Sequence, residues 1–576
     1  IWSAIMHELV VRDATVIDGT GGDRRVADVA VDDGLIRAVS NGAEVGPGRR
    51  EINAEGLLLT PGWVDIHTHY DGQATWDPFL TPSSWHGVTT VVFGNCSVGF
   101  APVQPGSEPY LINLMEGVED IPETVLAEGI DFRWESFPEY LDVLSSTPRV
   151  MDIGAQVPHA ALRYYVMGER GADFSEKPTE FEIERMGDLL EASLTAGALG
   201  FTTSRTGKHR AADGRLTPSY GAEEAELNGL ALAMRRAGTG VLEVNSDFGE
   251  GEFERLQAAA EIAGRPLSVL LVQVDDAPDL WRKTLDQVGL ACADGLEVTA
   301  QVGSRAIGML MGLEATVHPF TTHPLWLEMS ALSPKERFER LRDAPDLRRQ
   351  LVKERPDDGH INWMDEVLRR TFEIDEIVDY EPRPENSISA RAKTQGRDPF
   401  DLALELLLAN NGQTLLLHPF ENYCAGNLEV VKEMLEDPNT VCGVADAGAH
   451  VGIICDASSP TSLLTHWGRD RSRGEKLSLE FLVRKQTFDT ARTYGLLDRG
   501  IIAPGYKADF NMIDFQALSL QRPKLVYDLP AGGRRIIQKA VGYCHTFVSG
   551  VEVMRDGEFM GELPGKLLRG TQAAPI

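Results

Sequence analysis

Two histidines one residue apart, His67 and His69, close the run Pro61-Gly62-Trp63-Val64-Asp65-Ile66. On an extended strand, residues two apart face the same side, so both imidazoles point into one space. Two converging neutral imidazoles suit a divalent cation, typically Zn²⁺. Cys96 lies in Gly94-Asn95-Cys96-Ser97-Val98-Gly99, directly after a second apolar run. A lone buried cysteine is usually a small hydrophobe, but a thiolate there could ligate metal or act as a nucleophile. Asp446 lies in Cys442-Gly443-Val444-Ala445-Asp446-Ala447-Gly448-Ala449-His450. Its carboxylate could bind the cation or accept the proton of an attacking water, though one carboxylate cannot fully do both. His-x-His alone, or one aspartate in a turn, is unremarkable. Three such signals in order, each ending an apolar run, make a site. Arg205 and Arg305 are candidates to hold a substrate carboxylate, although a structural salt bridge is the ordinary reading of each. His159 and His209 follow strands and could reach the same space; most other histidines read as packing or surface groups.

The elements that must position these residues alternate. Short apolar runs at 63–67, 89–94, 151–156, 199–203, 241–245, 268–273, 297–302 and 441–446 read as buried strands. Between several of them, segments such as 180–196, 222–237, 252–263 and 281–293 carry apolar residues at helical spacing. Eight strands with intervening helices predict an α/β fold, a (β/α)₈ TIM-type barrel, whose chemistry sits at the C-terminal mouth. An open doubly wound sheet is weaker, because no GxGxxG follows a strand. Residues 1–60 and 500–576 are instead rich in short strands and tight turns, and predict one composite small β-sandwich domain. That leaves 61–499 as the barrel. About 140 residues separate the last two strands, too long for a structureless loop. The segment of about 303–440, with helical patterns at 334–341 and 399–408 and an apolar run at 414–418, reads as an insertion over the mouth.

Bulk properties narrow the function. The chain has 576 residues, 43% hydrophobic and 25% charged, with a formal net charge of -32. An acidic surface of that size repels phosphate backbones and anionic headgroups, which argues against nucleic-acid or membrane partners. Six scattered cysteines without a CxxC pair indicate a reducing compartment. No apolar stretch reaches the ~18 residues of a membrane helix, and the opening residues are too short and weakly basic for a secretory signal. A cytoplasmic homo-oligomer acting on a small molecule is expected.

With these motifs in order, the chain resembles the amidohydrolase superfamily and, within it, the N-acyl-D-amino-acid deacylases (D-aminoacylases). The resemblance covers nearly the whole length. It rests on Asp18-Gly19-Thr20-Gly21 after the first strands and on the run from Leu57 through His67 and His69 to Asp71. Gly94-Asn95-Cys96 and the return segment Gly500-Ile501-Ile502-Ala503-Pro504-Gly505-Tyr506-Lys507-Ala508-Asp509 complete it. The resemblance implies metal ligation by His67, His69 and Cys96; Asp446, read from its place after the last strand, is the expected further ligand or catalytic base. The family uses two further histidines as zinc ligands, after the fifth and sixth strands. Here Asn245 and Gln273 lie near those positions, and amides are poor Zn²⁺ ligands; they are retained as substrate-binding candidates. A lysine that in the family helps hold the substrate carboxylate is also missing after the sixth strand, where Asp275 stands. This marks a divergent branch, with one Zn²⁺ per chain expected rather than two. The expected activity is metal-dependent hydrolysis of an amide or cyclic amide C–N bond, on an N-acyl amino acid-like substrate. The alternatives are non-hydrolytic chemistry on the same metal (C–C cleavage, decarboxylation or isomerisation) and a catalytically inactive amidohydrolase-like protein.

Overall fold

The computed structural model describes residues 6–40, 45–356 and 359–576; the opening segment weighed above as a signal lies mostly outside them. All eight expected apolar runs form strands: β1 (Trp63–Asp65), β2 (Val88–Phe93), β3 (Asp152–Ala155, continued by Val157–Pro158), β4 (Gly200–Arg205), β5 (Val241–Ser246), β6 (Leu267–Leu271), β7 (Val298–Val302) and β8 (Thr440–Cys442). Each pairs in parallel with the next in this order. Beyond β8, Ala447 forms a parallel bridge with Thr68, past the end of β1. The intervening helices include Glu180–Thr195, Glu224–Ala237, Glu252–Ala263 and Leu280–Ala293. Thr179 and Glu182 form a reciprocal cap that fixes the start of the first of these.

The strands alternate as a sheet buried on both faces requires. On β5, Leu242 and Val244 enter the main apolar core, while Val241 joins Val64, Ile66, Val92, Leu199 and Val441 in a smaller cluster with Tyr494. Glu243 and Asn245 share the face of Val241.

Strands from both ends of the chain share one nine-stranded sheet. Leu58–Pro61 pairs in parallel with His7–Val16 on one side and antiparallel with Phe510–Ile513 on the other. Val11, Val16, Val29, Phe510, Met512 and Phe547 fill its core. A buried ionic cluster ties the returning chain to the start of β3. Asp152 accepts from Arg499 at 2.8 Å and from Lys507 at 2.6 Å, and Lys507 also pairs with Asp509 at 3.0 Å.

Between β7 and β8 the chain builds a three-stranded antiparallel sheet from Ile307–Met311, Phe372–Glu373 and Leu416–Glu421. Helices such as Pro334–Asp343 and Pro399–Gly412 surround it. Met311, Phe320, Leu341, Met364, Phe400 and Leu407 give this segment an apolar cluster of its own. Its links to the loops after β4 and β6 are polar. Lys208 pairs with Glu421, Arg370 pairs with Asp275, and the Gln273 backbone N–H donates to Asn422 Oδ1 at 2.7 Å.

Candidate metal centre

Two strands end earlier than their apolar runs. β1 stops at Asp65 and β8 at Cys442, so His67, His69 and Asp446 stand on the irregular segments beyond them. The two segments hold each other through backbone hydrogen bonds: the Asp446 N–H donates to the His67 carbonyl at 3.1 Å, and the His69 N–H to the Ala447 carbonyl at 2.8 Å. Asp446 adopts a left-handed φ of 46°, an unusual conformation for a residue with a side chain, which aspartate tolerates better than most. Cys96 is held similarly. Gly94, at φ 86°, lies so close to β3 that a Cβ would stand 2.3 Å from the Gln156 carbonyl oxygen. The next residue, Asn95, donates its amide to the carbonyls of Thr68 at 3.0 Å and Val92 at 3.1 Å. Asn95 therefore fixes the cysteine loop against the residue between the two histidines.

The outcome is convergence. His67 Nε2 lies 3.4 Å from Cys96 Sγ and 3.3 Å from Asp446 Oδ1. His69 Nε2 lies 3.5 Å from the same Asp446 oxygen. His67, His69 and Cys96 each offer a donor atom within 4.8 Å of the others. Both histidines are fully buried, while the Asp446 side chain is 14% exposed.

Behind the convergence point lie two acids that the sequence reading did not single out. Glu119 Oε1 is 3.4 Å from His69 Nδ1, and Glu243 Oε1 is 3.9 Å from His67 Nδ1. Gln301 Oε1 is nearer to His67 Nδ1, at 3.1 Å. Neither His69 nitrogen, neither Glu243 oxygen, nor Glu119 Oε1 has a well-aligned hydrogen-bond partner, although all are buried. Burial pushes Glu119 up to about 7 and Glu243 up to about 8. Burial also acts against charge on His69, but Glu119 and Asp446 outweigh it and raise the imidazole to about 9. Burial lowers His67 to about 4. Burial opposes ionisation of Asp446 too, yet His69 and His67 hold its carboxyl far below the usual range. The Cys96 thiol is pushed well up, by burial first and then by Glu119, Glu243 and Asp446. The strongest charges acting on these acids are histidines and one another. This donor set of two imidazoles, one thiol and one carboxylate, with surplus buried acid around it, fits a divalent cation such as Zn²⁺.

Of the five expected substrate contacts, Asn245 reaches this centre. Its Nδ2 is 3.6 Å from Cys96 Sγ and 3.4 Å from His209 Nε2. The other four are engaged elsewhere. Arg205 pairs with Glu252 and donates to the Ala222 carbonyl at 2.7 Å. Arg305 is buried against Asp456 at 2.7 Å and stacks on Tyr380. His159 lies between Thr203 and Glu226. Gln273 lies past the end of β6, where its side chain donates to the Pro278 carbonyl and accepts from the Cys424 N–H. The reason is common to all four: a strand-end position brings the backbone to the mouth, but the nearest acid or carbonyl decides where a long polar side chain goes. The sequence did hold one usable signal for Glu243. It stands two residues before Asn245, on the same face of a strand that is otherwise apolar.

A model of the amidohydrolase family matches residues 50–559. The chain belongs to the amidohydrolase family. An N-acyl-D-glutamate deacylase of Alcaligenes xylosoxydans xylosoxydans is 26% identical, over 98% of this chain and 96% of its own. The solved N-acyl-D-glutamate deacylase of Bordetella bronchiseptica, complexed with zinc and a phosphonate mimic of the tetrahedral intermediate, is 25% identical. Its TM-score is 0.65, covering 98% of this chain and all of that one. A solved D-aminoacylase with a binuclear metal centre, 24% identical at a TM-score of 0.65 over 98% of this chain and all of its own, shares the fold. The resemblance read from the motifs is therefore correct at the level of the family, and the fold is that of D-aminoacylase. Among the described residues, no helix is long and apolar enough to cross a membrane.

Proposed function

We propose that this amidohydrolase cleaves the amide C–N bond of an N-acyl amino acid-like small molecule, using one divalent cation, Zn²⁺ by preference. The observation that carries the reading is the meeting of His67 Nε2, His69 Nε2, Cys96 Sγ and Asp446 Oδ1 beside buried acids whose oxygens lack an aligned hydrogen-bond partner. The substrate class rests on the deacylase relatives. In this reading the eight parallel strands close into one barrel through the Thr68–Ala447 bridge, and 61–499 forms the catalytic unit. The segments 1–60 and 500–576 form a separate β domain, and 303–440 borders the mouth.

His67, His69, Cys96 and Asp446 would hold the cation, which when bound supplies Lewis acidity toward an amide carbonyl and acidifies water. The other steps belong to the chain. Asp446, whose side chain is 14% exposed, is placed either to hold the cation or to take a proton from attacking water, one role limiting the other. Asn245, beside Cys96, and His209, beside Asn245, are both partly exposed and offer polar contacts for the acyl oxygen. Lys208 precedes His209 in the chain and is held by Glu421, so a substrate carboxylate would compete with Glu421 for it. With two strand histidines replaced by Asn245 and the displaced Gln273, the strong donors suffice for one cation.

The test has two parts. The purified chain should bind close to one Zn²⁺, and His67→Ala or His69→Ala should remove the metal and lower hydrolysis of N-acyl-D-amino acids by at least ~10³-fold, since a Lewis acid contributes several kcal/mol to the barrier. Hydrolysis in ¹⁸O-labelled water should place one label in the released acid. Two tightly bound Zn²⁺ per chain would refute the one-metal reading. Turnover without label would refute hydrolysis.

A further inference from the structure

We infer that Glu119 is a positioning residue that serves two imidazoles at once, His69 in the metal centre and His450 at the mouth. The inference rests on the one-metal reading above. Glu119 Oε1 faces His69 Nδ1 at 3.4 Å, and Oε2 faces His450 Nε2 at 3.4 Å. The Glu119 carbonyl also accepts the backbone N–H of His450. One residue thus meets both rings and the backbone that carries the second.

Three further facts bear on it. Glu119 is the last residue of the helix Glu108–Glu119, where the helix dipole disfavours a carboxylate, so the helix gives no reason for an acid there. It is 1% exposed, so solvation gives no reason either. His450 sits at a left-handed φ of 49°, a costly conformation that the surrounding contacts must enforce.

The consequence for His69 is a choice of tautomer. A carboxylate at Nδ1 favours the proton on that nitrogen, which leaves the Nε2 lone pair toward Asp446 and Cys96. For His450 the same carboxylate faces Nε2 and leaves the rest of the ring, in a side chain 23% exposed, partly open to solvent. Glu119 therefore couples how firmly the cation is held to where a mouth imidazole points.

The experiment compares Zn²⁺ affinity, by competition with a chromophoric chelator, and steady-state kinetics at saturating Zn²⁺. The proteins are the wild type, Glu119→Gln, Glu119→Asp and His450→Gln, each checked for folding by circular dichroism. Glu119→Gln should bind Zn²⁺ about 10- to 100-fold more weakly, the range that orienting partners of metal ligands command. Its kcat should fall even when Zn²⁺ saturates, with KM unchanged, because His450 is released too. Glu119→Asp, which keeps the charge one methylene short, should lie between. His450→Gln should hold Zn²⁺ within threefold of wild type and still lose kcat. Wild-type Zn²⁺ affinity in Glu119→Gln would overturn the inference and leave the metal reading intact. Should Glu119→Gln fail to fold, unchanged affinity and kcat in Glu119→Asp would overturn it equally. A wild-type chain that binds no Zn²⁺ would overturn the metal reading, and this inference with it.

Discussion

Two of the ionic clusters buried among the described residues, one at the start of a parallel strand and one just past the ends of two others, are built on opposite plans. At the start of β3, two buried acids, Asp152 and Asp509, meet two cations, Arg499 and Lys507, at 2.6–3.0 Å along three of the contacts, and the less buried Asp498 adds a pair with Arg499 at 2.8 Å. Burial works against Asp152, but Lys507 and Arg499 hold its carboxyl down to about 2. Beyond β1 and β8, Glu119, Glu243 and Asp446 surround two histidines and a thiol, and several buried atoms lack an aligned partner. The first cluster is complete as folded and joins the terminal segment to the parallel strands. The second gathers its acids around imidazoles, with no lysine or arginine paired to them among the described residues. Burial alone therefore does not mark a functional group; burial with the charge left unbalanced does.

The largest effect that separates the two plans should come from breaking the balanced one. Asp152→Asn leaves Arg499 and Lys507 buried against a neutral amide, and should cost about 3–5 kcal/mol of stability, as removal of one partner of a buried pair does. Zn²⁺ content, measured on the folded fraction, should not change. A denaturation midpoint equal to wild type would break the contrast.

A smaller effect follows from the unbalanced cluster. Glu119, Glu243 and His69 are raised to about 7, 8 and 9, and burial raises Asp65 and Asp71 to about 7. Between pH 7 and 9 the folded metal-free chain therefore keeps protons that the unfolded chain has released, and its stability falls as pH rises. His67, His209 and His450, lowered by burial to about 4, 3 and 4, are neutral in both states over most of that window. The melting temperature of chelator-treated protein should drop by a few degrees from pH 7 to 9. Glu243→Gln should remove part of the drop, and saturating Zn²⁺ should abolish it. A flat profile in chelator would mean that the second cluster is balanced after all.

The smallest expected change sharpens the count of donors. Asn245→His places an imidazole beside Cys96, where the amide now stands 3.6 Å away. Metal content, measured by elemental analysis, should rise above one per chain, with little gain in activity. An unchanged stoichiometry would show that Gln273, turned toward Pro278 and Cys424, is the more serious loss.

Much of this was legible in the sequence because apolar runs and ordered motifs encode it. All eight strands lie at the expected runs, and the helix Glu252–Ala263 begins and ends where its periodicity does. His67, His69, Cys96 and Asp446 meet because each follows a strand whose end is fixed by backbone pairing. Glu119 was not legible. It belongs to a helix with an ordinary amphipathic pattern, and its importance comes from the end of that helix meeting the loop at His450. Arg205 and Arg305, for which a structural salt bridge is the ordinary reading, do form one each, but with which acid was not legible. Their partners, Glu252 and Asp456, are distant in sequence, and no local pattern announces such a pair.

The shared sheet at the chain's ends has a consequence for biosynthesis. Leu58–Pro61 needs Phe510–Ile513 as its neighbour, roughly 450 residues later. At translation rates of about 5–20 residues per second, the early strands emerge and wait roughly 25–90 s for that partner. During the wait, Leu58–Pro61 exposes an apolar edge, the kind of template on which other chains can pair. Formation of the parallel-strand region and completion of the terminal sheet are thus separated in time. A ribosome stalled before residue 510 should hold a chain whose first strands remain open to protease, even when the residues around His67 are already protected.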